Sequence, residues 1–401
     1  MPDGTASELL WSRLDLTQPA GIEEALAVSK RAAEEVGLAA RSFSLEWRRG
    51  AAADWSALRV FVLRQDRVPL GLAVFSLNPR PLKFQVGEVS IGAIKLTRHW
   101  HLAEPYLARE LAPELAGPAT EKLLRTCLAG LGAGEALFFE GLPSTSPLNE
   151  LISGAAAADA GFVKLELGLP FAHQFIRMPD TFAEYLVQLG SRSRQSVLYS
   201  QRRLIKDMAG EVRCECFETE AAVERFITDA RQVSRKTYQW NLLGLGLRDP
   251  EALRRKFTAT ARAGWWRSYI LYCKGLPVAF MLGDQQGDCY YYDDVGYDPE
   301  YAKASVGSVL QIMVLEDLLG RADRPRYFDF STGYGEHKGR FGNIERTESN
   351  VLVLPRTLRN RSLVGAFRLN TRVTGAAVGL IERFGLKERI KKLIRRRSAR
   401  T

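Results

Sequence analysis

One order of elements occurs twice along the chain, and this constrains the fold more than any single motif. Residues 21–40 read as a helix rich in Ala and Glu. Apolar runs at Leu58–Leu63 and Leu70–Phe75 flank a polar turn and predict a hairpin. A further strand pair is expected within Phe84–Leu96, then a helix at Ala119–Ala129, a strand at Ala136–Glu140, a helix at Leu148–Ala158 and a strand at Val163–Leu167. After Pro179 the series restarts. Asp180 and Thr181 can cap a helix with Glu184 in its first turn. Val212–Phe217 alternates like a strand, and helices follow at Glu220–Thr237 and Pro250–Ala263. Strands are expected at Trp266–Cys273, Pro277–Gln285 and Asp288–Gly296. A helix at Ser305–Gly320 and strands at Tyr327–Phe330 and Asn350–Leu354 complete the series. No literal repeat accompanies the repeated order. The reading is α/β: two similar lobes with mixed, mostly antiparallel sheets flanked by helices. A length of 401 residues suits two domains. The expected division is 1–175, 176–355 and a tail at 356–401.

Charge is distributed unevenly. The net charge is +10. Residues 356–401 hold fourteen Lys or Arg and two Glu, so the remaining body is slightly acidic. A basic whole-chain balance therefore gives no general argument for nucleic acid. Residues 376–397 have helical spacing, with Leu380, Ile381, Phe384, Ile390 and Leu393 set among Lys and Arg. Such a helix suits an anionic membrane surface, and docking on the body is the other reading. The five cysteines show no paired spacing and read as reduced thiols. No apolar run reaches the length needed to span a bilayer. The expected location is the cytoplasm, with peripheral attachment to the inner membrane face through the tail. The four histidines and the Cys214–Cys216 pair give no metal spacing, so no metal is expected.

Cys289–Leu318 carries the most chemistry. The strand Cys289–Val295 holds three tyrosines and two aspartates. Alternation puts Tyr290, Tyr292 and Asp294 on one face, and Tyr291 and Asp293 on the other. Either aspartate suits a general base. A small-residue loop, Ala302–Ser308, then opens a helix. Exposed N–H groups at such a terminus bind anions, and Lys303 adds positive charge. Asp329 alternates with Phe328 and Phe330, where a carboxylate needs a partner. Arg192, Arg194, Arg202 and Arg203 form a basic helix face. Tyr238, Trp240 and Asn241 suit a sugar or acyl pocket.

The stretch Tyr301–Leu310 resembles the pyrophosphate loop of GNAT acyltransferases. Ser305 stands at the first glycine position, Gly307 at the second, and Ala302 at the usual Arg or Gln position. The order of Ser191–Arg203, Thr237–Asn241, the Tyr297–Pro299 turn, the loop, Phe328–Phe330 and Glu336–Phe341 is similar to the double-GNAT, FemAB-like branch. The pattern resembles especially that branch's CelD-like acetyltransferases, linked to cellulose and exopolysaccharide clusters. The resemblance covers residues 180–345. It implies acyl transfer to an amine in a ternary complex, with acetyl-CoA or another acyl-CoA bound by Val295, Lys303, Ser305, Val306, Gly307 and Ser308. It further implies Asp294 or Glu336 as base and Tyr334 as proton donor to the thiolate. Arg194, Tyr238, Trp240, Tyr292, Asp329 and Lys338 would meet the acceptor, an amino sugar or another cell-envelope precursor. The alternatives are a FemAB-like aminoacyl-tRNA-dependent transferase, with tRNA as partner, or a non-catalytic scaffold for a membrane synthase.

Overall fold

A computed structural model describes residues 8–50, 54–86, 89–154, 161–237, 240, 246–331 and 336–383. The first part contains β1 (Leu10–Arg13), α1 (Pro19–Val36), and two short helices, α2 (Ala40–Phe43) and α3 (Leu45–Gly50). The hairpin β2 (Leu58–Gln65) and β3 (Val68–Pro79) follows, then a separate two-stranded sheet of β4 (Leu82–Val86) and β5 (Val89–Ile94). Next come β6 (Thr97–Leu102), β7 (Tyr106–Leu107), α4 (Pro113–Ala129), β8 (Glu135–Pro143), α5 (Pro147–Ser153) and β9 (Phe162–Glu166). The second part runs through β10 (Phe171–Arg177), α6 (Phe182–Gln188), α7 (Ser191–Asp207), β11 (Val212–Phe217), α8 (Val223–Ser234) and α9 (Pro250–Arg262). It continues with β12 (Ser268–Cys273), β13 (Leu276–Gln286), β14 (Cys289–Tyr297), α10 (Val306–Gly320), β15 (Tyr327–Asp329), α11 (Glu336–Phe341), β16 (Ile344–Pro355) and α12 (Leu358–Arg383).

The two parts share one 14-stranded sheet. Its main path is β1-β2-β3-β6-β8-β16-β10-β15-β14-β13-β12-β11. Most pairings are antiparallel, while β6–β8 and β14–β15 are parallel. In each part a helix links the parallel pair, which is the structural form of the repeated order. The expected 175/176 division falls within β10. Late in the sequence, β16 pairs with β8, β9 and β10, so it joins the halves.

Apolar periodicity explains the layers. In α10 apolar residues occur all round, and Val309, Leu310, Ile312, Val314 and Leu315 are fully buried. They pack with Tyr290 and Tyr292 of β14, Phe328 of β15 and Phe330 just beyond it. The opposite face of β13 packs Phe280 and Leu282 with Phe226 and Phe257 of α8 and α9.

The tail begins as a docked helix. The spacing predicts a helix at 376–397, but α12 starts at Leu358. Val364 is buried against Leu165, Leu352 and Leu354, with Leu363 and Phe367 beside it. Asn370 holds the β4 backbone at Gln85 from both its amide atoms. The expected apolar residues from Leu380 to Leu393 have side chains outside the described residues.

Candidate functional site

Strand pairing creates the site. Among the described residues, β14 and β15 pair at three positions, Cys289–Tyr291 with Tyr327–Asp329. β14 then runs on to Tyr297 without its neighbour. Ser331 marks the parting: its left-handed backbone (φ 55°) turns the chain, and its hydroxyl donates to the Tyr292 carbonyl at 2.6 Å. In the first lobe, β6 and β8 stay paired over six positions. A gap of this kind therefore belongs to the second lobe.

A bulge aims the aspartates. Leu282 pairs with Asp294 and Gly283 with Tyr292, leaving Asp293 as an extra residue. Strict alternation would separate Asp293 from Asp294. Instead both border one cavity of about 500 Å³ at the seam between the lobes. Gly283 permits the bulge, since a Cβ there would lie 2.2 Å from the Tyr290 hydroxyl.

The two aspartates then differ by partner. Arg41 of α2 reaches Asp293 Oδ1 at 2.5 Å, and Lys256 of α9 reaches Oδ2 at 2.8 Å. Arg41 also pairs with Asp284 and lies over the rings of Tyr291 and Trp47, at 4.2 and 4.9 Å. Burial pushes the Asp293 carboxyl up, but Arg41 and Lys256 outweigh it and hold the group well below the usual carboxylate range. Among the described residues, Asp294 forms no ion pair; it accepts the Val295 N–H at 2.8 Å. Burial lifts its pKa, which suits a proton acceptor.

Asp329 anchors the other parted strand. His173 of β10 donates through Nε2 to Asp329 Oδ1 at 2.6 Å and through Nδ1 to Glu348 Oε2 at 2.9 Å. Arg346 closes the chain on Glu348 Oε1. Burial lowers the imidazole pKa, but the two carboxylates reverse this and lift it to about 9. His173 is therefore an imidazolium at neutral pH. Lys338 is buried, donates to the Ser331 carbonyl at 3.1 Å and is pushed down by desolvation.

A second cavity, about 600 Å³, lies beside α10. Tyr292, Val295, Tyr297, Gly307, Ser308 and Phe341 line it. Among the described residues, no side chain caps α10. The Ser308 and Val309 N–H groups turn back to the Ser305 carbonyl, leaving those of Val306 and Gly307 at the helix end. Ser305 itself adopts φ 55°, the conformation a glycine would supply without strain. Lys303 is exposed beside the loop. The equivalent helix of the first lobe, α4, has Pro113 in its first turn and Pro118 inside. Each proline removes an N–H donor. A larger groove, about 670 Å³, lies by α1 and the turn at Gln286–Asp288, at the opposite end of β14.

Other expected residues lie elsewhere. Arg194 of α7 contacts the Leu186 carbonyl at 3.4 Å. Trp240 stacks with the Arg248 guanidinium, 4.5 Å from the ring centre. Tyr238 and Tyr334 lie outside the described residues, as does the Glu336 side chain. The seam residues Arg41, Trp47, Trp100, His173 and Glu348 carry no local motif. Strand pairing over long sequence distances brings Trp100, His173 and Glu348 together, and the short helices α2 and α3 bring in Arg41 and Trp47. Among the described residues, no group of three or more His, Cys, Asp or Glu is placed to hold a metal ion.

Residues 191–339 match the acetyltransferase (GNAT) domain family. The matched region holds the parted strands, α10 and the bulge. FemX is similar in structure, with a TM-score of 0.60 and 10% identity, over 88% of this chain and 99% of that one. A conserved protein of unknown function from Bacteroides thetaiotaomicron VPI-5482 has a TM-score of 0.50 and 13% identity, over 86% of this chain and 100% of that one. A tandem GNAT protein from the clavulanic acid biosynthesis pathway has a TM-score of 0.45 and 14% identity, over 87% and 98%. At such identities the likeness is one of fold. No curated protein matches the sequence. The chain is built as two α/β lobes joined in one mostly antiparallel sheet, and the GNAT match lies in the second. Among the described residues, no helix is long and apolar enough to cross a membrane.

Proposed function

We propose that the chain is an acyl-CoA-dependent acyltransferase that acylates an amine by direct transfer in a ternary complex. The acceptor class is an amino sugar or another cell-envelope precursor, as in the CelD-like likeness. The observation that carries the reading is the parting of β14 from β15 beside the uncapped end of α10. The residues fit an acyl-CoA. Two N–H groups at a helix end suit a pyrophosphate, and the cavity walls suit a pantetheine arm. Bound acyl-CoA supplies the activated thioester carbonyl. Val306 and Gly307 hold phosphate oxygens. Asp294 takes a proton from the acceptor ammonium, and the amide C–N bond forms as the thioester C–S bond breaks. Tyr334 returns a proton to the departing thiolate. In this reading the enzyme works in the cytoplasm, with its basic end on the anionic inner membrane face or on a membrane synthase.

Calorimetric titration with acetyl-CoA and longer acyl-CoAs tests the donor. One acyl-CoA per chain is expected, because the first lobe keeps β6 on β8 and its helix carries two prolines. A Cβ at Gly307 would touch the Tyr297 ring at an ordinary 3.5 Å, so the site has room for a small side chain. Gly307→Glu instead brings a negative charge to the helix end and should abolish binding in a folded protein. No acyl-CoA binding to the folded wild type, with salt-sensitive binding of aminoacyl-tRNA, would replace this reading by the FemAB-like one.

A further inference from the structure

One face of α7 is basic and open to solvent. Val197 and Leu204 bury the opposite face. Arg192, Tyr199, Arg203 and Lys206 follow one another at helical spacing, with Arg202 beside them. All five are exposed, Tyr199 at 61%. Among the described residues, Arg203 alone of these cations has an acidic partner, Asp207 at 3.4 Å. From Arg192 to Lys206 the row runs about 21 Å along the helix. α7 also flanks the cavity beside α10. It packs on α10 and on the turn Pro299–Ala304, whose Pro299 and Ala302 line that cavity. Arg340 of α11 donates to the Ser193 carbonyl at 3.1 Å, next to Phe341 in the cavity wall. Inside the cavity, Gln311 is buried, and its Nε2 has no hydrogen-bond partner among the described residues. It lies one turn beyond Gly307, about 6 Å farther along α10. A buried amide donor left unmade is costly, so the cavity is built to receive an acceptor oxygen there.

We propose that the acyl group is presented by a small acidic protein, which carries its thioester on a phosphopantetheine arm and docks on the basic face of α7. The arm enters the cavity. Its phosphate meets the Val306 and Gly307 N–H groups, and one of its amide carbonyls accepts from Gln311. Such an arm is the part that a carrier protein shares with CoA. What differs is the group beyond the phosphate: a nucleotide in CoA, a folded protein in the carrier. A nucleotide reaches one end of the basic row, whereas an acidic helix lies along all of it. Tyr199 set among arginines is the composition of a protein interface. A transfer RNA needs many phosphate contacts spread over a wide surface, and one helix face supplies few. The bonds made and broken are those given for acyl-CoA, with the thiol retained on the carrier. The proposal rests on the thioester reading above and names the source of that thioester.

The test titrates the full chain with acetyl-CoA and octanoyl-CoA, each against an acyl carrier protein loaded with the same acyl group. The loaded carrier should bind at least about tenfold more tightly at low salt and lose most of that advantage as salt rises. Arg202→Glu combined with Lys206→Glu should remove the advantage and leave acyl-CoA affinity unchanged. Gln311→Leu should weaken both donors by about tenfold, since both bring the arm. A carrier that binds no more tightly than acyl-CoA overturns the proposal and leaves the acyl-CoA reading standing. So does an advantage that survives the double charge reversal in a folded variant. The wild-type comparison decides alone if the variant does not fold. Aminoacyl-tRNA bound in place of the carrier, and lost in the same variant, assigns the face to nucleic acid and overturns the proposal as well. Binding of neither thioester removes the donor reading as a whole.

Discussion

At the scale of single residues, His173 has a measurable signature. Its folded pKa of about 9 lies above the ordinary 6.5, so the fold favours the charged form. Its contribution to stability is full below pH 6.5 and is lost as pH rises through about 9. The difference corresponds to roughly 3 kcal/mol. Chemical unfolding at pH 6 and pH 10 should show that loss in the wild type, and His173→Gln should show a much flatter dependence. An unchanged pH dependence in the folded variant would rule out the doubly paired imidazolium. Sequence carried only part of this picture. Asp294 was legible because an acidic pair after three tyrosines stands out on one strand. His173 was not, because its partner Glu348 lies 175 positions away. Only the pairing of β10 with β15 and β16 makes the contact. Arg41 was hidden for the same reason. Its partners Asp284 and Asp293 lie in the other lobe, and nothing around it signals burial.

At the scale of elements, α10 and its loop were readable, since small residues before an apolar run mark a helix start. The bulge in β14 was not. Period-two alternation assumes unbroken register, and one extra residue brings Asp293 and Asp294 to the same cavity. The bulge depends on Gly283, which faces the Tyr290 hydroxyl and the Tyr291 carbonyl. Gly283→Ala should destabilise the protein by about 2 kcal/mol through overpacking. Denaturant unfolding checks this, and a neutral result would mean that the two strands can repack without the bulge. The tail helix was legible in its amphipathic spacing but not in its start. Its first turns are pinned by Val364 and Asn370, a docking set by the distant strand β4.

At the scale of the whole molecule, α12 separates two roles within the basic tail. Its first half covers Leu352 and Leu354, so cutting at Pro355 would strip a core. A chain ending at Arg383 keeps that cover and removes the basic end. Sedimentation with phosphatidylglycerol vesicles should retain the full chain and release the shortened one. Equal retention would assign membrane binding to the body. The repeated order of elements made the two lobes legible. Their fusion was not, because edge pairing between lobes leaves no periodic trace. The strand β16 has a consequence for how the molecule is made. β16, the partner of β8, is synthesised some two hundred residues after it, pairing Phe139 with Val351. A nascent chain leaving the ribosome must hold the exposed edge of β8 open until β16 has been translated. Loop closure over that distance makes folding slow and unites both lobes in one cooperative event. A chain stopped before β16 would leave the edge of β8 bare and open to pairing with another chain.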